Sequence, residues 1–219
     1  MRYPPQHKAE SRAKIVGAAA DLFRGRGIGG TGVDAVMARA GLTAGAFYAH
    51  FQSKGELVRD AVTLAGQRST EKWLGRFDGL RGRAWVEELF RIYLGPAHQK
   101  DVAGGCILPS LGAEVGRQPV EVRRNFSRRL AGMLNLVEAR VNGDLSVERE
   151  RVIAAVSLAV GAVVLSRAVP EVAFQREILK ASRKGAAELV GLASRRGRKS
   201  RRTTGPKPKK RSGKAKKKA

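Results

Sequence analysis

Residues 31–51 read TGVDAVMARAGLTAGAFYAHF, and the fold turns on them. Val33, Val36, Met37 and Ala40 recur at i, i+3, i+4 and i+7, the spacing of one face of a short helix over 33–40. Gly41 fits the left-handed position that closes such a helix, and Thr43 can cap another over 44–50 through its hydroxyl. Two short helices around a glycine turn form a helix-turn-helix, whose second helix can enter a major groove of DNA. Ala44, Gly45 and Ala46 are small enough to let backbone approach DNA closely. Thr43, Tyr48, His50 and Lys54 bring hydroxyl, imidazole and ammonium groups able to bond phosphate oxygens. A plain helical hairpin with its aromatics in the core would use the same pattern, so chemistry alone leaves both readings open.

The flanks are helical too. Ile15, Ala18, Ala19, Leu22 and Phe23 stripe a first helix over 8–24, which GRGIGG ends because successive glycines do not sustain a helix. Ser53-Lys54-Gly55-Glu56 spells a capping box before the apolar run of Leu57, Val58, Ala61 and Leu64. Further helices are predicted over 83–93, 108–115, 119–141, 147–168 and 170–193, with a glycine-rich connection through Gly105. The last two divide at Val169-Pro170, since proline disfavours helix in the residue before it. Strand-like alternation is missing, and the chain reads as all-α.

The charge is uneven. Of 219 residues 43 are basic and 19 acidic, a formal net charge of +24. Residues 194–219 hold 14 of the basic groups and no acidic one, leaving +10 on the rest. That tail is low in complexity and self-repelling, so it is expected to lack packed structure, and its charge points to a polyanion, most simply nucleic acid. The single cysteine, Cys106, excludes a disulfide framework and a cysteine-based zinc site. The opening MRYPPQHKAESR has no apolar core of a secretory signal, and the longest uncharged run, 152–166, has 15 residues against the roughly 20 a membrane span needs. A soluble, cytoplasmic protein without membrane attachment is expected.

Several signals carry less. Gly25-x-Gly27-x-x-Gly30 follows a helix rather than a strand, so it lacks the setting of a dinucleotide loop. His7, His50 and His98 are scattered without metal-ligand spacing, and the adjacent Glu87 and Glu88 fall on different helix faces. No catalytic set converges, so neither enzymatic activity nor a cofactor is expected. Cys106 after Gly104-Gly105 could sense redox state, although a lone cysteine is more often a small buried hydrophobe. Trp73, Trp85, Phe90, Tyr93 and Phe126, with Cys106, are candidates to line an apolar effector pocket, though aromatics at helical spacing are usually core. The run 152–166 is apolar on nearly all faces and must be covered on both sides. Ala155, Ala159 and Ala162, beside Val163, would permit close approach of a second subunit; a central helix of a monomeric bundle is the alternative.

Residues 15–62 resemble the DNA-binding domain of TetR-type (TetR/AcrR) transcriptional regulators. The likeness is an ordered set: Ile15, Ala19, Leu22-Phe23, Gly27, Thr31, Val33, Val36, Ala40-Gly41-Leu42, Gly45, Phe47-Tyr48-Ala49-His50-Phe51, Ser53-Lys54 and Leu57. It implies a three-helix DNA-binding head over 1–56 and a helical effector-binding and dimerising body over 57–193, followed by the tail 194–219. It also implies that Thr43, Ala44, Tyr48 and His50 lie on or beside the recognition helix, with Thr31 and Gly45 among the DNA-facing residues and Lys54 reaching phosphate. Phe47 and Phe51 are expected in the core. Gly32 stands where the family usually has a capping Ser or Thr, Met37 where it has alanine, and Gly55 where it has an acid. The function implied is a homodimeric regulator of double-stranded DNA at a palindromic operator, released as a repressor by a small-molecule effector. The alternative is an architectural, sequence-tolerant DNA-coating protein driven by the tail.

Overall fold

The structure, a computed structural model, describes residues 5–192; residues 1–4 and 193–219, and with them the basic tail, lie outside them. The described residues are helical with no strand. The first helix, α1 (Pro5–Arg26), buries the expected stripe of Ile15, Ala18, Ala19 and Phe23. Gly27 ends it at φ 80°, its N–H returning to the Phe23 carbonyl at 2.9 Å. The second, α2 (Val33–Arg39), is closed by Gly41 at φ 72°, as the glycine turn requires.

The next segment departs from expectation. Ala44–Ala49 winds as a 3₁₀ helix, with Ala46 N–H on the Thr43 carbonyl and His50 N–H on the Phe47 carbonyl. Six residues that include Gly45 bring little helix propensity, and the tighter i→i+3 winding is common in such short pieces. The Thr43 hydroxyl caps nothing here, contrary to its expected role; its backbone carbonyl closes the first turn instead.

The third helix, α3 (Lys54–Gly75), starts on the predicted capping box with one change. Glu56 N–H donates to Ser53 Oγ at 3.2 Å, but the Glu56 carboxylate accepts from Gln52 N–H at 2.8 Å, one residue earlier than the standard reciprocal bond. Arg12 pins α1 to this start, bonding Glu56 and Asp60 at 2.7 Å each while its guanidinium lies 4.3 Å above the Phe51 ring. These pairs are half-exposed, so orientation is their larger effect.

The body adds α4 (Gly82–Tyr93), α5 (Pro96–Lys100), α6 (Ile107–Val115), α7 (Val120–Val141), α8 (Arg149–Ala168) and α9 (Val172–Leu189). The short α5 sits inside what the sequence presents as a connection. Arg167, in the last turn of α8, holds it by donating to the carbonyls of Gln99, His98 and Asp101 at 2.8–3.2 Å. Val169 is extended, and α8 and α9 fold into a hairpin there. By length and composition α8 could cross a membrane. One side of it, with Val152, Ala155, Ala159, Ala162, Val163 and Ser166, is built into the body's core. Its other side is not covered as expected: Ile153, Leu158, Val164 and Leu165 are exposed, and Leu165 keeps 59% of its surface.

Two apolar cores result, and they share elements. The head's core takes in Ile107, Leu111 and Val115 of α6 and Val122 of α7, while Leu108 packs against both cores. The expected head–body boundary at residue 56 falls inside α3, which runs unbroken from one into the other.

Candidate nucleic-acid interface and effector cavity

On the head, Thr43, Ala44, Gly45 and Tyr48 stand exposed in and beside the 3₁₀ helix, Tyr48 at 78%. A Cβ on Gly45 would meet nothing within 4 Å, so backbone is bare at that point. Beneath them Phe47 and Phe51 are buried with ring centroids 5.5 Å apart, and Tyr48 stands edge-on to Phe47 at 5.2 Å. The exposed surface of the 3₁₀ helix therefore rests on an aromatic floor. Lys54 is exposed at the start of α3, with Nζ donating to the Ile28 carbonyl at 3.3 Å. His50 is half-buried, and its Nδ1 has no hydrogen-bond partner. Burial first, then the positive charges of Lys8, Arg12 and His7, hold its pKa below the ordinary histidine value.

Thr31 is placed differently. It is 1% exposed, and its hydroxyl donates to the Gly27 carbonyl at 2.7 Å. The side chain locks the turn between α1 and α2 and offers nothing to a phosphate. Gly32 caps α2 without a side chain, and a Cβ there would have open space.

In the body, one apolar cavity of about 100 Å³ lies among α3, α4, α6, α7 and α8. Trp73, Trp85, Phe90, Tyr93, Cys106 and Phe126 all line it. Trp73, Tyr93 and His98 form an aromatic cluster with centroids 4.4–4.9 Å apart. His98 Nε2 accepts from Cys106 N–H at 3.0 Å, so Nδ1 carries the proton and donates to the Tyr93 carbonyl at 2.7 Å. Burial is the main cause that pushes the His98 pKa down to about 4. Burial likewise pushes the Tyr93 phenol well above its ordinary value, helped by the Cys106 thiol beside it. Among the described residues no cluster of His, Cys, Asp and Glu could hold a metal ion.

Two contributors escape a reading by apolar periodicity. Arg129 lines the cavity from α7. It falls three residues after Phe126 and four before Met133, so a charge within that apolar stripe was the available signal. Glu114 had no local signal: from the far end of α6 its carboxylate accepts from Ile28 N–H at 2.7 Å and Gly29 N–H at 3.0 Å, in the turn of the head. Ala155, Ala159, Ala162 and Val163, expected at a subunit contact, face the protomer's own core, and Ala159 also lines the cavity. The side of the hairpin left open carries Ile153, Leu158, Val164, Leu165, Val172 and Phe174 instead.

A helix-turn-helix head, with its reading segment exposed over an aromatic floor, on an all-helical body defines a class: helical DNA-binding transcriptional regulators. Residues 15–61 match the family described as bacterial regulatory proteins, tetR family. Solved structures share the fold of the whole. E. coli NemR in its reduced form is 19% identical, with a TM-score of 0.66 over 84% of this chain and 98% of that one. A TetR-family transcriptional regulator from Cytophaga hutchinsonii is 15% identical, with a TM-score of 0.67 over 86% and 98%. RolR in complex with its ligand resorcinol is 15% identical, with a TM-score of 0.54 over 87% and 92%. No curated protein matches the chain.

Proposed function

We infer that the chain is a dimeric, cytoplasmic repressor whose grip on a palindromic operator is released by a small molecule in the body's cavity. The observation that carries the reading is α6. Its first residues, Ile107 and Leu108, line the cavity, while Leu111, Val115 and the Glu114 carboxylate are fixed into the head. A ligand that changes the cavity wall is thereby connected to the turn between α1 and α2, at the start of the helix-turn-helix. Such a ligand releases DNA only by binding the two head positions with different affinity. The open side of α8 and α9 is suited to a second copy, which would pair two reading heads. The ligand held by RolR, which shares the fold, supports a small occupant for the body.

The test is selection of bound fragments from sheared genomic DNA, followed by footprinting of the strongest. The reading requires a two-fold related sequence whose half-sites lie one helical turn, ~34–36 Å, or a multiple apart. Fragments with no common sequence would instead support the architectural reading, which the 14 positive charges of residues 194–219 favour.

A further inference from the structure

Four side chains that line the cavity carry buried polar hydrogens without a hydrogen-bond partner: Trp73 Nε1, Trp85 Nε1, the Tyr93 hydroxyl and Arg129 Nε. Trp73, Trp85 and Tyr93 are each more than nine-tenths buried. Buried polar groups are nearly always paired, and indole and guanidinium groups can only donate. A set of unmet donors around one apolar space describes its occupant as a bearer of acceptors. The Cys106 thiol beside the Tyr93 hydroxyl is a weak partner at best. No carboxylate lines the cavity, and Arg129 makes no ion pair among the described residues.

The cavity also adjoins an outer groove. Gly66 and Thr70 of α3 and Arg129 and Met133 of α7 line both the cavity and an outer polar groove of about 520 Å³. The groove is bordered by Arg128, Asn125, Gln67 and one acid, Glu71. The helices are thin here: a Cβ on Gly66 would meet only the Arg129 stem at 3.7 Å, and one on Gly132 would meet nothing within 4 Å. Arg129 thus stands at the junction of an apolar interior and a polar approach. The interior is smaller than the ~150 Å³ cavity known to admit benzene, and well below the ~300 Å³ at which drug-sized pockets begin.

We propose that the effector is a single-ring aromatic anion, a carboxylate or phenolate, that passes between α3 and α7. Its ring lies among Trp73, Trp85 and Tyr93, and its charged oxygens are held by Arg129. This rests on the reading of the cavity as an effector site and adds the ligand's chemistry. One ring fits with modest widening, and a guanidinium with a free Nε offers a carboxylate the paired geometry that a lysine would not.

The chain's only two tryptophans both line the cavity, so its intrinsic fluorescence reports on the site directly. Benzoate and 4-hydroxybenzoate should quench it saturably and raise the melting temperature. Benzyl alcohol should bind more weakly, and benzylamine should not bind. Arg129→Gln should weaken benzoate roughly tenfold or more, the usual share of a charged hydrogen bond, with Arg129→Lys between it and the wild type. Benzylamine or benzyl alcohol binding as tightly as benzoate would overturn the proposal, as would no saturable binding of either acid at millimolar concentration, or equal benzoate affinity in the Arg129→Gln chain. If the acids bind and DNA affinity is unchanged, the ligand assignment stands and the release of DNA by this site fails.

Discussion

Tyr48 lies within the 3₁₀ segment and Lys54 just beyond it, one largely exposed and the other tethered to the Ile28 carbonyl. Their hydroxyl and ammonium groups suit phosphate oxygens, and the family resemblance puts Lys54 on a phosphate, so we assign both to phosphates. Tyr48→Phe and Lys54→Ala should then weaken binding to operator and random DNA by similar factors. Thr43 and Ala44 are the candidates for base contact, where a correct pairing discriminates by ~1–3 kcal/mol. Titration of both DNAs checks this, and a Lys54→Ala chain with altered base preference but intact affinity would refute the phosphate role. His98 carries a second expectation. Its folded pKa of about 4 lies below the ordinary 6.5, so above pH 6.5 folded and unfolded chains are both neutral and the ring costs nothing. As pH falls from 6.5 towards 4 the unfolded chain takes up the proton first, and stability drops by up to about 3 kcal/mol. Urea unfolding across that range should show a shallower acid loss in a His98→Asn chain; identical slopes would remove the ring from the account. Residue roles were legible unevenly. The aromatic floor and the cavity's aromatic lining could be named from spacing and chemistry, since those depend on type and period. Thr31, which looked like a surface hydroxyl, is consumed by the backbone four residues earlier, and Glu114 acts across 86 positions, a distance at which sequence has no local mark.

Among the elements, α8 teaches most. An apolar pattern on every face names a helix that is covered, but periodicity cannot tell which side meets the protomer and which meets something else. The alanines turned inward with Val152 and Val163, where they let α8 approach its neighbours, and Ile153, Leu158, Val164 and Leu165 were left outside. The two sides make separable predictions. Ala159→Glu would bury an unpaired carboxylate at a position 4% exposed and should prevent folding. Leu165→Glu, on the open side, should leave the circular dichroism and melting of the protomer nearly intact while shifting sedimentation from dimer to monomer. A wild-type monomer at micromolar concentration would contradict the pairing outright. The 3₁₀ helix is a second element the pattern could not fix: apolar spacing over six residues suits either winding, and the choice falls to weak propensity and the packing of Phe47 and Phe51.

Over the whole molecule the charge divides into +10 on residues 1–193 and +14 on residues 194–219. That segment has no aromatic ring to stack on bases and no Asn or Gln to read adenine. Its contribution to DNA binding should be counterion release, each neutralised phosphate adding about −0.9 to the slope of log affinity against log salt. Truncation before Ser194 should lower affinity for operator and random DNA alike, flatten that slope, and leave the preferred sequence unchanged. Equal slopes with and without the segment would show that it does not engage DNA.

The continuity of α3 also has a mechanical side. At ~1.5 Å per residue, its 22 residues make a rod of about 33 Å, with Gly66 and Thr70, shared by cavity and groove, in its second half and Lys54 at its start. A tilt of roughly 5° about one end displaces the other by about 3 Å, which is comparable to the length of a hydrogen bond. On the release proposed above, a ligand would need to wedge α3 and α7 apart by only a fraction of a ring's thickness for the lever to carry a phosphate contact out of reach. Stiffness along α3 would then set the gain of that proposed switch, so a helix-softening change such as Ala61→Gly should blunt the response to ligand while touching neither ligand nor DNA.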